Sequence, residues 1–162
     1  MTNQKSSEFH TVRGYQILSQ QEKKLSSAME DYLEMTYRLC IRNNYARVGK
    51  LSELLNVKPS SASKMISKLA KLGYLEYDRY EVILLTENGR EIGAYLLERH
   101  DTVEQFFKLI GKKDPLEETE LVEHSLSPAT VADLSTLIEF FREDLEIQQK
   151  FESFKKRKEE NA

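Results

Sequence analysis

The sequence predicts a mainly α protein: a winged helix-turn-helix with a small β-hairpin wing, followed by an all-helical C-terminal domain. Two short amphipathic segments, Val48–Leu55 and Ser60–Leu72, flank a tight break at Asn56-Val57-Lys58-Pro59, the spacing of a helix-turn-helix. Two short strand-like runs follow at once, Tyr74–Tyr77 and Val82–Thr86, joined by Asp78-Arg79-Tyr80-Glu81. Beyond Thr86, apolar residues recur at three- and four-residue steps, and only six Gly and three Pro punctuate the 162 residues.

Residues 1–25 read as a polar extension with scattered apolar positions (Phe9, Val12, Tyr15, Ile17, Leu18). From Ser26, the row Met29, Tyr32, Leu33, Tyr37 and Leu39/Cys40 predicts a first core helix, and Asn43-Asn44-Tyr45-Ala46 a turn. In the second segment of the helix-turn-helix, Pro59 and the serines give start signals and Gly73 the stop. Ala62, Met65, Ile66, Leu69 and Leu72 are expected to face the core, leaving Ser60, Ser61, Ser63, Lys64, Ser67 and Lys68 outward. Hydroxyls and lysines suit a helix pressed against phosphates and base edges; Lys58 precedes that helix and Arg79 sits at the wing tip.

Charge follows the same division. The net charge of −3 hides a basic block over 41–80, eight Lys/Arg against three Asp/Glu, beside an acidic one over 81–162, eleven against nineteen. A basic module beside an acidic one suits polyanion binding joined to a second task, although the acidic part also suits a solvated helical surface.

A long helix is expected from Thr86 to about Ile110, with Ile92, Leu96, Leu97, Val103, Phe106, Phe107 and Ile110 on its apolar side and Gly111 ending it. Two more follow, about Leu116–Ser125 and Pro128–Arg142, with apolar positions Leu121, Val122, Leu126, Val131, Leu134, Leu137, Ile138 and Phe141. From Asp144 to Lys158 a sparse row (Ile147, Phe151, Phe154) allows a further helix, and Lys155-Lys156-Arg157-Lys158 reads as a frayed, solvated end rather than a DNA contact. No apolar run reaches the length of a membrane span, the start lacks a signal-peptide core, and the single Cys40 provides no disulfide framework. A cytoplasmic protein without a membrane partner is the expectation.

Three groups are candidate metal ligands. Asp31 and Glu34 lie three apart on the first core helix, His100 lies in the long helix, and Glu120, Glu123 and His124 share one face of a short helix. Four carboxylates and two imidazoles brought together demand a cation, because isolated carboxylates in low dielectric cost several kcal/mol each. Oxygen-dominated ligation with some imidazole suits Mn(II) better than an ion that prefers thiolates. A Glu-x-x-Glu-His helix also suits a wet surface, and a lone helical His a structural role, so these residues alone leave metal binding open. A metallohydrolase finds little support: there is no His-Glu-x-x-His motif and no obvious nucleophile.

Over roughly residues 26 to 145 the chain resembles the diphtheria-toxin-repressor superfamily, in its manganese transport regulator branch. The resemblance runs through Ser27-Ala28-Met29-Glu30-Asp31-Tyr32-Leu33-Glu34, Tyr45-Ala46-Arg47-Val48, Lys58-Pro59-Ser60-Ser61-Ala62-Ser63-Lys64-Met65, Arg99-His100 with Glu104-Gln105-Phe106, and Glu120-Leu121-Val122-Glu123-His124-Ser125-Leu126-Ser127. It implies a DNA-binding domain over 26–90 and a metal-binding and dimerisation domain over 91–162; the extension over 1–25 departs from the family's pattern, which leaves its role open. It places metal ligands at Asp31, Glu34, His100, Glu120, Glu123 and His124, around a pair of adjacent ions. The iron-sensing branch carries Met and Cys where Asp31 and Glu120 stand, so Mn(II) is favoured over Fe(II), Co(II) or Zn(II). The third, SH3-like domain of iron-sensing members finds no room in this chain. The expected protein is a homodimeric, manganese-dependent repressor of metal-uptake genes on a palindromic operator; an Fe(II)- or Zn(II)-responsive repressor is the rival.

Overall fold

The computed structural model describes residues 25–78, 80 and 82–161, so the expected extension over 1–24 and the wing-tip Arg79 lie outside the described residues. The chain divides into two compact units, Met1–Glu98 and Arg99–Ala162.

In the first unit, α1 (Ser27–Asn43) starts at Ser26, whose side chain accepts a hydrogen bond from the Met29 N–H, and stops at Asn44 in the left-handed region with φ 67°. After β1 (Ala46–Arg47) come α2 (Val48–Leu54) and α3 (Pro59–Lys71), with Pro59 in the first turn of α3 where its missing N–H costs nothing. Both helices end in the same way. A left-handed residue, Asn56 (φ 52°) or Gly73 (φ 85°), donates to the carbonyl three residues back, and its successor to the carbonyl five back. That Schellman closure turns the chain sharply and satisfies carbonyls the helix leaves open.

The expected hairpin is present as β2 (Leu75–Tyr77) and β3 (Val82–Leu85), and β1 joins it in a three-stranded antiparallel sheet. Its order is β1-β3-β2, with β2 and β3 paired Leu75 to Leu85 and Tyr77 to Ile83, and β1 paired Ala46 to Ile83. Ala46 therefore belongs to a strand, not to the turn expected at 43–46; two residues are too short to show an alternating pattern. Asp78 shapes the turn, its Oδ1 accepting from the N–H of Tyr80 and of Val82. Leu33, Leu51, Ala62, Ile66, Leu69, Ile83, Ile92 and Leu96 form a fully buried core. Leu72, expected to face inward, is 38% exposed because the helix ends before it.

Helix α4 (Glu87–Leu109) begins beside the sheet. Thr86 donates its hydroxyl to Gly73 O and accepts from Gly89 N, and a Cβ at Gly89 would stand 1.9 Å from Tyr74 O. One turn on, Gly93 passes so close to α1 that a Cβ there would meet Tyr37 Cβ at 2.7 Å. Backbone packs on backbone at Gly89, and on the Tyr37 side chain at Gly93.

The boundary between the units falls within α4, after Glu98. The helix ends at Gly111 (φ 95°) in a third Schellman closure. Then come α5 (Leu116–Glu123), α6 (Pro128–Glu143), capped by Ser127, and α7 (Leu145–Glu160), capped by Asp144. The basic end expected to fray is thus helical through Glu160, and Lys155 donates to Ile110 O at 2.5 Å. The Phe141 and Phe151 rings meet edge to face at 5.5 Å between α6 and α7. Val103, Val131 and Ile138 are buried, whereas Leu121, Val122 and Leu137 are exposed, Leu121 by 72%. A unit this small that shows so much apolar surface has a face suited to a partner.

Candidate metal centre and DNA-reading face

The six expected ligands fall in both units. On α1, Asp31 is exposed and Glu34 is buried; Arg38, one turn on, grips Glu34 Oε1 with Nε at 2.9 Å and Nη2 at 2.6 Å. The helical step that brings Arg38 over Glu34 is the usual i, i+4 placement.

The second unit brings the other candidates onto two elements. His100 lies on α4; Glu120 and Glu123 lie on α5, and His124 caps that helix. Glu123 is 2% exposed and His100 8%, and Glu123 Oε1 lies 3.2 Å from His100 Nδ1. Glu120 instead faces solvent, and His124 is half-buried. The structure thus joins His100 to Glu123 directly but does not bury the whole Glu120, Glu123 and His124 face.

Arg99 is the residue to which the sequence assigned no role. It is 3% exposed, its Nη2 lies 3.0 Å from His124 Nδ1, and its Nε lies 3.7 Å from Glu123 Oε2. A signal for it existed: Arg99 continues the stripe Ile92, Leu96, Val103, and a charge on an apolar stripe must find partners inside.

The donor set suits a divalent cation. Glu123 Oε2 is a buried carboxylate oxygen that no hydrogen bond satisfies among the described residues, a costly state that a cation relieves. The candidates offer carboxylate oxygen and imidazole nitrogen, while the one thiol, Cys40, is buried in the core of the first unit.

The face expected to meet DNA is on α3. Lys58, Ser60, Ser61, Lys64 and Lys68 are exposed; Ser63 and Ser67 are half-buried, and Ser67 Oγ donates to Ser63 O at 2.8 Å. Ser60, Lys64 and Lys68 stand one turn apart along one line, while Ala62, Ile66 and Leu69 anchor the opposite side. Among the described residues no helix is long and apolar enough to cross a membrane.

Residues 24–83 match the family described as iron dependent repressor, N-terminal DNA binding domain, and residues 86–152 match its metal binding and dimerisation domain. A winged helix-turn-helix followed by a helical metal-binding and dimerising unit is the make-up of a metal-dependent transcriptional repressor, and that is the class to which the fold and site correspond. Over 119 residues the chain is 42% identical to the HTH-type transcriptional regulator MntR of Geobacillus kaustophilus (strain HTA426), covering 72% of this chain and 84% of the relative. The chain belongs to the diphtheria-toxin-repressor superfamily, in its manganese transport regulator branch. Among solved structures it is similar to the crystal structure of T. acidophilum IdeR (TM-score 0.59, 28% identity) and to the structure of the manganese regulator SloR (TM-score 0.61, 26% identity). Each likeness covers 69% of this chain, which spans about half of either structure, 53% and 54% respectively.

Proposed function

We propose that the chain is a manganese-activated repressor that binds a palindromic operator as a homodimer. The observation that supports this best is the buried Glu123, whose Oε2 no hydrogen bond satisfies among the described residues and whose Oε1 faces the His100 imidazole, in a chain that also carries a lysine- and serine-lined α3. Asp31, Glu34, His100, Glu120, Glu123 and His124 would hold the metal, two ions per subunit, as oxygen and nitrogen donors suited to Mn(II). The metal supplies positive charge that lets these carboxylates be ordered together. Holding these ligands on shared ions narrows the ensemble that must be ordered when DNA binds.

On the DNA side, Lys58, Lys64, Lys68 and Arg79 would contact phosphates, and Ser60, Ser61, Ser63 and Ser67 would approach phosphates and base edges. Two such helices in a dimer enter successive major grooves when they stand about 34–36 Å apart.

Gel-shift titration at fixed salt tests the reading: operator affinity rises with Mn(II) and falls with chelator, and equal affinity in both overturns it. Fe(II) is the competing signal, since the matching family is described as iron dependent. Titrating Mn(II), Fe(II), Co(II) and Zn(II) in parallel decides between them, and Asp31→Met should blunt the manganese response specifically.

A further inference from the structure

We propose that Arg99 is a built-in counter-cation: in the metal-free protein it holds Glu123 and His124, and it must release His124 before that imidazole can ligate a metal. The proposal rests on the assignment of Glu123 and His124 as metal ligands.

The chemistry of the two nitrogens carries it. Arginine has five N–H donors and no acceptor, so at 3.0 Å from Arg99 Nη2 the Nδ1 of His124 must present its lone pair. A neutral imidazole has one such lone pair; its other nitrogen, Nε2, then carries the proton. A metal that takes Nδ1 displaces the guanidinium outright. A metal that takes Nε2 moves the ring proton to Nδ1, where it points at an N–H of Arg99. By either nitrogen, ligation of a metal and the hydrogen bond to Arg99 exclude one another.

His100 is arranged in the opposite sense. Its Nδ1 faces Glu123 Oε1 at 3.2 Å, and an ionised carboxylate only accepts, so His100 Nδ1 carries the proton and Nε2 is the acceptor nitrogen. One imidazole of the unit thus donates through Nδ1, and the other accepts through Nδ1 from an internal cation.

Burial makes that cation consequential. Side-chain exposure is 4% for Arg99 and 2% for Glu123, so little water screens their attraction, or the repulsion between Arg99 and an arriving dication. Without the guanidinium, Glu123 would lose the cation beside its Oε2. Arg99 therefore stabilises the empty site and opposes its filling, which sets the metal concentration at which the site loads.

Two measurements test this. In metal-free wild type, nitrogen-15 spectra of the His124 ring should show the proton on Nε2; a proton on Nδ1 overturns the proposal, and no variant is needed. In Mn(II) titrations by calorimetry, Arg99→Met should bind roughly tenfold more tightly than wild type, the scale of change seen for groups that surround metal ligands. Its metal-free form should also melt at a lower temperature. His124→Ala is the control for the ligand assignment. If His124→Ala binds Mn(II) as wild type does, that assignment falls and the proposal with it. If His124→Ala loses metal while Arg99→Met binds no more tightly than wild type, the counter-cation role alone is overturned.

Discussion

His100 Nδ1 lies 3.2 Å from Glu123 Oε1, a buried link between the middle of α4 and the last residue of α5. The same carboxylate offers its other oxygen to Arg99 Nε at 3.7 Å. Glu123→Gln keeps the shape and removes the charge. It should lower divalent-metal affinity by about 10- to 100-fold and destabilise the metal-free protein by on the order of 3 kcal/mol, since Arg99 loses its buried counter-charge. Calorimetric titration reads the first effect and chemical denaturation in chelator the second; wild-type metal affinity in the variant refutes a role for this carboxylate.

Close approach at two glycines of α4 gives a prediction for the first unit. Gly89→Ala forces a methyl to within 1.9 Å of a carbonyl oxygen and should cost about 3 kcal/mol or more. Gly93→Ala meets the stem of Tyr37 at 2.7 Å and should cost about 1–3 kcal/mol. A Cβ at Gly49 on α2 would meet nothing within 4 Å among the described residues, so Gly49→Ala should stabilise by about 0.5–1 kcal/mol through helix propensity alone. Thermal melts of the three variants should fall in that order.

The exposed lysines of α3 should act as phosphate contacts. Lys64→Ala and Lys68→Ala are expected to weaken binding to all DNA sequences alike and to reduce the slope of log affinity against log salt by about one each. Fluorescence anisotropy on operator and random duplexes across a salt series measures both. A loss confined to the operator assigns these side chains to base reading instead.

Burial raises the phenol of Tyr32 and of Tyr74 above the ordinary value. A raised folded-state value favours the protonated form in the native protein. The contribution is therefore complete below the unfolded value of about 10 and is lost as pH climbs from there through the raised folded values. Denaturation between neutral and strongly alkaline pH should show stability falling in that window, and Tyr74→Phe should flatten the fall. An unchanged slope in the variant places the alkaline loss elsewhere.

The helix-turn-helix was legible because its signals are local: Pro59 opens α3, Gly73 closes it, and Ala62, Ile66 and Leu69 repeat at the helical period. Strand β1 was not, since pairing Ala46 with Ile83 joins positions far apart in the chain and two residues carry no period. Leu121 and Leu137 were placed among the apolar positions of their helices and are exposed, since period reports a shared face and not what covers it. For the site, spacing put Glu123 and His124 on one short helix, while the meeting with His100 depends on how α5 folds back on α4. Arg99 went unassigned because a charge's worth is set by its partners, and those lie more than twenty residues away.

Cys40 is 2% exposed, its Sγ lies 3.9 Å from Ile83 O, and burial raises its thiol even against the pull of Arg90. Oxidants and alkylating agents react with the thiolate, which this placement suppresses. The folded protein therefore keeps its only sulfhydryl out of reach of peroxides and of mixed-disulfide formation, and samples left in air should retain an unmodified thiol until they unfold.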